Sequence, residues 1–287
     1  MYIIGILSSI LFSPKKIAAG VSMKKALVVG INYKNDRDIG LLGCLGDAAA
    51  EYTMLCSNLG FSPENVLIMT DDTEVKPTAE NIIKGWRWLL TKLSAKDFSK
   101  TTGTETDLVE LDSTLYFHYS GHGMTADDTN GDEKGGKDSC FVPIDYLTSG
   151  IIADDVIRSV LTSKVPLGVR LYGVIDACFF GTGFDNGWMM NISHTGDVSF
   201  IRDKSYPDLV GDVILFSGST DQQPVADFDG YGVFTKVYLE ILKANNYKIT
   251  CDKLLIDTRS RFIKDNRGWQ TPQLSSGSPR AIDAPFI

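Results

Sequence analysis

The chain has 287 residues, enough for one large α/β domain or two smaller ones. Its 36 acidic and 28 basic residues give a net charge of −8, which argues against a nucleic-acid binder and leaves room for cationic ligands. A composition of 43% hydrophobic and 22% charged residues is that of a globular protein, and five scattered cysteines without a C-x-x-C pair argue against a disulfide scaffold and point to a reducing, cytoplasmic setting.

Tyr2 to Phe12 is an apolar run too short to span a bilayer as a helix. Lys15 and Lys16 follow the run, whereas a secretory signal carries its charges first; a packed arm or first strand, a signal and a membrane anchor all stay open. Ala26 to Ile31 reads as a buried strand. Asp47 then reads as the N-cap of a helix whose face carries Ala48, Tyr52, Leu55 and Leu59, stopped by Gly60. Val66 to Met69 is the next strand. Pro77-Thr78 opens a helix with Ile82, Ile83, Trp86, Leu89, Leu90 and Leu93 on its apolar side. Lys96 to Asp112 is polar and reads as an exposed insertion. Strands follow over Leu115 to Tyr119 and Val169 to Ile175, with an amphipathic segment from Ala153 to Thr162 between them. Asn186 to Gly211 is polar with few periodic residues and reads as a long surface loop. Val213 to Ser217 is a further strand, and a helix lies around Phe234 to Leu242. This alternation predicts an α/β fold, a mostly parallel sheet flanked by helices on both faces.

In such sheets ligands bind beyond the carboxyl ends of the strands. Two of those ends carry reactive side chains: Phe117-His118-Tyr119-Ser120-Gly121-His122-Gly123, and Asp176-Ala177-Cys178-Phe179-Phe180-Gly181. Neighbouring strands lie about 4.8 Å apart, so side chains just past two adjacent ends can meet. A thiol beside an imidazole makes a nucleophile and its base. Taken singly, the cysteine is as readily a small core residue, and the histidine a hydrogen-bonded structural group. His118 and His122 have the spacing of a zinc pair, but only a helix puts such a pair on one face, and Tyr119 stands where the zinc-protease motif has Glu. The acidic stretch from Asp127 to Glu133 fails as an EF-hand loop: counted from Asp128, Glu133 occupies the position that needs Gly and Ser139 the one that needs Glu.

The strings Ala26-Leu-Val-Val-Gly-Ile-Asn-Tyr33, Gly43-Cys-Leu-Gly-Asp47, His118-Tyr-Ser-Gly-His-Gly123 and Asp176-Ala-Cys178, with the His about fifty residues upstream of the Cys, together resemble a metacaspase. The resemblance runs from about Lys24 to about Leu242 and is nearest to the type I arrangement without its long prodomain. It implies a caspase-like fold with an N-terminal arm over 1–23, a large-subunit region over 24–185, a linker loop over 186–211 and a small-subunit region over 212–287. Metacaspases usually continue after the nucleophile with His-Ser-Gly; here Phe179-Phe180-Gly181 follows, so the packing beside the thiol must differ.

The resemblance further implies a monomeric cysteine endopeptidase acting on peptides and proteins, with His122 as general base and Cys178 as nucleophile. The amides of Gly123 and Cys178 would form its oxyanion hole. Cleavage would follow Arg or Lys, held by Cys44, Asp47, Ser120 and Asp176. Calcium would be the cofactor, bound by Asp138, Asp154, Asp155 and Asp185. Self-cleavage would fall in the linker, whose two basic residues are Arg202 and Lys204. Elementary chemistry agrees: an imidazolium lowers a neighbouring thiol's pKa, and two carboxylates suit a guanidinium. For Asp47 the capping and pocket roles both stand. A second reading, motivated by Phe179-Phe180, is a catalytically weak caspase-like module that acts by binding proteins.

Overall fold

The computed structural model describes residues 22–287 except 105–106, 130, 132–134, 182, 194–195, 221–222, 224–226, 229, 268–269 and 280–283. The apolar run from Tyr2 to Phe12 and Glu133 of the acidic stretch lie outside the described residues. The elements in chain order are β1 (Lys24–Gly30), α1 (Cys44–Ser57), β2 (Val66–Thr70), α2 (Ala79–Leu89), β3 (Thr114–Ser120), β4 (Gly123–Asp127), β5 (Lys137–Phe141), α3 (Tyr146–Ser149), β6 (Ile152–Ala153), α4 (Asp154–Val160) and β7 (Arg170–Asp176). They continue with β8 (Trp188–Ile192), β9 (Val198–Arg202), β10 (Asp212–Ser217), β11 (Asp227–Phe228), β12 (Tyr231–Gly232), α5 (Val233–Ala244), α6 (Cys251–Lys264) and β13 (Gln273–Ser276).

The main sheet has the order β2-β1-β3-β7-β10-β13-β8-β9. Its first five strands are parallel, and β13, β8 and β9 join antiparallel. The parallel strands are near-continuous apolar runs because both their faces are covered. Their alternation sorts the core into two layers. Leu27, Val29, Leu115, Phe117 and Leu171 pack with Ile82, Trp86 and Leu89 of α2 and Ile157 of α4. Ala26, Val28, Tyr116, Tyr172 and Val174 pack with Ala48 and Leu55 of α1, Phe234 and Tyr238 of α5 and Leu254 of α6. Among the described residues no helix is long and apolar enough to cross a membrane.

Three sequence expectations need correction. The stretch from Asn186 to Gly211 is not a long loop: β8 and β9 form a hairpin in it, and β8 pairs with β13 at the edge of the main sheet. Its short strands lack strong apolar alternation because β9 is an exposed edge strand. Asp47 is not a helix N-cap: Gly43 takes that position, and Asp47 lies one turn inside α1 with its carboxylate turned into the protein. The 96–112 insertion is anchored by buried Phe98 and Val109, which join the α2 layer. Helix α6 and the short strands β4, β5 and β13 had no counterpart in the sequence reading.

Candidate active site

β3 and β7 are neighbours, with Ser120 beside Asp176 in register. The Gly121 amide donates to the Asp176 carbonyl at 3.4 Å. The two chains then run on to His122 and Cys178. A Cβ on Gly123 would lie 2.1 Å from the Cys178 carbonyl oxygen and 3.0 Å from Phe180 Cδ2. The loops press together there, and only glycine fits between them.

His122 Nε2 lies 2.7 Å from the Ile39 carbonyl oxygen. A carbonyl only accepts, so Nε2 carries the proton in this pairing and Nδ1 is the nitrogen left with a basic lone pair. The loop that supplies this carbonyl is itself held. Asp71 accepts from the Asn32 amide at 2.7 Å and the Lys34 amide at 2.9 Å, and Asn32 Nδ2 donates to the Leu42 carbonyl at 3.3 Å. Tyr33 covers the imidazole, its ring centroid 4.9 Å away. The His122 amide donates to the Tyr33 hydroxyl at 3.1 Å, and the Tyr119 hydroxyl donates to the His122 carbonyl at 2.9 Å.

Cys178 is half-buried, and none of the five cysteines is in a disulfide. Phe179 after it has φ 61°, a left-handed conformation uncommon for a bulky residue, and its amide donates to the Gln223 carbonyl at 3.1 Å. Phe180 is fully buried, its ring centroid 4.4 Å from that of Phe141. The departure from His-Ser-Gly is thus absorbed by the aromatic core, with Phe180 filling the space beneath Gly123 and Gly183.

On the sheet face covered by α1 and α5, two carboxylates converge. Both Asp47 oxygens accept from the Gly232 amide at 3.0 Å, and Ser120 Oγ donates to Asp47 Oδ2 at 2.7 Å. Asp176 Oδ2 accepts from the Thr235 amide at 2.9 Å and its hydroxyl at 2.8 Å. A Cβ on Gly232 would stand 2.1 Å from Asp176 Oδ2 and 2.7 Å from Asp47 Oδ2, so the acids face each other across this glycine. Cys44, buried in the first turn of α1, lies near the tyrosines that hold His122. Burial foremost, with Cys44 a lesser cause, raises the pKa of the Tyr33 and Tyr119 hydroxyls. The structure therefore brings Asp47, Ser120 and Asp176 together, with Cys44 toward His122.

A second acidic group lies apart from these. Asp138 on β5, Asp154 at the start of α4 and Asp185 beyond β7 are buried, and Asp155 is half-buried. Asp154 Oδ2 accepts from the Ser139 amide at 3.0 Å. Burial, then the charges of Asp185 and Asp138, pushes the Asp154 carboxyl up to about 9. Asp138 Oδ1 and Asp154 Oδ1 have no hydrogen-bond partner among the described residues. No three His, Cys, Asp or Glu side chains among the described residues are gathered closely enough to hold a metal ion as they stand. The donor chemistry still fits a hard cation, because mutually repelling buried carboxylates with undonated oxygens are what such an ion relieves.

Arg202 and Lys204 differ. Arg202 ends β9; its guanidinium donates to the Gly187 carbonyl at 3.1 Å, pairs with Asp208 at 3.1 Å and lies over the Trp188 ring. Lys204 is exposed in the turn that follows. Sequence reasoning missed the Ile39 carbonyl, Tyr33, Gly232 and Thr235. Tyr33 stood in a recognised string without a role, and the others carry no side-chain signature of their own.

The caspase domain family matches residues 23–282. Metacaspase-1A of Neurospora crassa is 28% identical over 92% of this chain and 65% of its own length, and metacaspase-1 of Eremothecium gossypii is 30% identical over 92% and 66%. Metacaspase-2 of Arabidopsis thaliana is 32% identical over 71% of this chain and 47% of its own. The chain thus spans about two thirds or less of each of these relatives. Among solved structures, a Geobacter sulfurreducens protein superposes with a TM-score of 0.62 at 20% identity, covering 91% of this chain and 97% of that one. Caspase-1 of Spodoptera frugiperda superposes with a TM-score of 0.54 at 13% identity, covering 88% and 86%. The sheet order, the helices on both faces and these likenesses agree on one assignment: the chain is a member of the caspase domain family, of the metacaspase kind.

Proposed function

We propose that this chain is a cysteine endopeptidase that cleaves after Arg or Lys, is stimulated by calcium and cuts itself between Asn186 and Gly211. The observation that carries the reading is the meeting of the Asp47 and Asp176 carboxylates at the same strand ends that bear His122 and Cys178. His122 Nδ1 takes the Cys178 proton, and the thiolate sulfur bonds to the scissile carbonyl carbon. The developing oxyanion is met by the amides of Gly123 and Cys178. The imidazolium, steadied by the Ile39 carbonyl at Nε2, returns its proton to the leaving amine. Water, with His122 again as base, then hydrolyses the thioester. Ahead of the cut, the substrate cation docks on Asp47 and Asp176, with Ser120 and Cys44 lining the approach. Asp138, Asp154, Asp155 and Asp185 would hold calcium, whose charge removes the repulsion among them and fixes β5, α4 and the 177–187 segment together.

A fluorogenic peptide amide with Arg before the reporter, assayed with calcium and with chelator, tests this. Turnover that needs calcium, that is lost in Cys178→Ala and that falls by about 3–5 kcal/mol in transition-state binding for Asp176→Ala is expected. A library profile dominated by acidic residues before the cut overturns the pocket. A folded chain that binds such peptides without cutting them returns the protein to the binding-module reading.

A further inference from the structure

A buried polar seam runs inward from the acid pair. On β3, Ser120, His118 and Tyr116 alternate onto the face that α1 covers, and on α1, Asp47 and Glu51 are one turn apart on a shared side. Ser120 donates to Asp47 at the outer end. Deeper in, the Tyr116 hydroxyl donates to Glu51 Oε2 at 2.7 Å and lies 3.0 Å from the Tyr238 hydroxyl of α5. His118 Nδ1 lies 3.6 Å from Glu51 Oε1. Glu51 and His118 are both 0% exposed. Glu51 Oε1 has no hydrogen-bond partner among the described residues, and the His118 ring has only a weak approach to the backbone of Val174. The proteolytic chemistry uses none of Glu51, His118, Tyr116 or Tyr238.

On β1, Ala26 and Val28 of this layer are apolar, and Lys24 at the start of the strand is turned to the Leu59 carbonyl at 2.7 Å and the Phe61 ring. The titratable groups facing Glu51 are Asp47 on its own helix, Tyr116 and His118 on β3, Asp176 on β7 and Tyr238 on α5. None supplies a positive charge, since burial drives His118 down to about 3. Burial, and more weakly the Asp176 charge, pushes Glu51 up to about 8 against the Tyr116 hydrogen bond. Glu51 therefore holds a proton at neutral pH, next to a pocket built for a cation.

Resting on the Arg/Lys reading of that pocket, we propose that Glu51 is its third carboxyl, which ionises when a guanidinium or ammonium docks on Asp47 and Asp176, so that recognition releases a proton. The incoming cation cancels the repulsion from Asp176 and attracts the new carboxylate. The O–H bond of Glu51 breaks, the electron pair stays on the carboxylate, and the proton passes to the buffer.

Calorimetry on the Cys178→Ala chain, with an acetylated peptide ending in Arg and calcium held constant, tests the linkage in phosphate and in Tris. At neutral pH the binding enthalpy is expected to differ between the two buffers in the sense of proton release. Affinity is expected to rise with pH toward the Glu51 midpoint, by at most about tenfold per pH unit for one linked proton. In Glu51→Gln the buffer difference disappears whatever the affinity, which assigns the released proton to Glu51. Tyr116→Phe removes a hydrogen bond to the ionised form, so release moves to higher pH. Equal enthalpies in both buffers with Glu51 intact, a measurement that needs no change in the seam, overturn the proposal, as does a Gln variant that keeps the difference. A parent chain that binds a peptide ending in Asp but not the Arg peptide overturns the pocket reading itself, and this proposal with it.

Discussion

Gly123 stands where a single methyl group has no room, with the Cys178 carbonyl 2.1 Å from where its Cβ would be. In Gly123→Ala one of the two loops must move, and a displacement of about 1 Å at reacting atoms costs roughly a hundredfold. We expect kcat to fall by at least about that factor and the thermal unfolding midpoint to drop as well, because the added methyl also presses on Phe180 of the buried aromatic core. Steady-state kinetics with a melting curve checks this; near-normal kcat would mean that the loop pair does not set the catalytic geometry. Cys178→Ala and His122→Ala should each abolish turnover, with the double variant no worse, since the two act as one unit. Side chains with reactive atoms at strand ends, His122 and Cys178 among them, were legible in the sequence because their chemistry belongs to the residue type. The Ile39 carbonyl was not, because any residue supplies a carbonyl and only the fold decides which one meets the imidazole. Asp47 was half legible: its identity allowed a cap, which the structure gives to Gly43, and what its carboxylate meets instead is the amide of Gly232, 185 residues away in sequence.

At the scale of elements, the parallel strands were legible because burial on both faces writes an apolar run, whereas β8 and β9 were not, because an edge hairpin needs no such run. One lysine joins two of the legible elements. Lys25 of β1 is fully buried, its ammonium donating to the Trp88 carbonyl at 2.7 Å and the Thr91 carbonyl at 2.5 Å and lying 3.9 Å from the Trp88 ring centroid. It thereby supplies a donor to the Thr91 carbonyl past the end of α2 and adds one to the Trp88 carbonyl, which also accepts from the Thr91 amide at 3.0 Å and hydroxyl at 2.9 Å. Lys25→Met keeps the apolar stem and takes the donor from the Thr91 carbonyl, while the Trp88 carbonyl keeps its bonds from Thr91, at a cost of about 1–3 kcal/mol for the one acceptor left bare. The urea midpoint should drop accordingly while kcat is retained, since Lys25 lies at the far end of β1 from His122 and Cys178. An unchanged midpoint would show that water or a neighbour replaces the ammonium. The acidic group ties three other elements. Replacing Asp138 and Asp155 together by Ala should remove the calcium response and leave the circular dichroism spectrum unchanged; a surviving response would put the calcium elsewhere.

The order of strands in the whole sheet bears on self-cleavage. Lys204 is exposed in a turn, whereas the Arg202 guanidinium is held by Gly187, Asp208 and Trp188. A protease needs an accessible, extendable stretch, so the cut is expected after Lys204 and not after Arg202. Everything before that cut contributes β1, β2, β3, β7, β8 and β9 to the main sheet; everything after it contributes β10 and β13. In the sheet, β10 and β13 lie between β7 on one side and β8 on the other. The later piece is thus clasped by the earlier one on both edges, through the β7–β10 and β13–β8 ladders. Separating the pieces would open both ladders and bare the α5 and α6 layer, so a nicked chain should stay one particle. After calcium addition, denaturing mass spectrometry should find two fragments divided after Lys204, while size-exclusion chromatography without denaturant still shows the mass of the intact chain. Lys204→Gly should abolish the fragments, and Arg202→Gly should not. Cutting after Arg202, or fragments that elute apart, would show that the β8–β9 hairpin opens in solution and that the clasp does not hold.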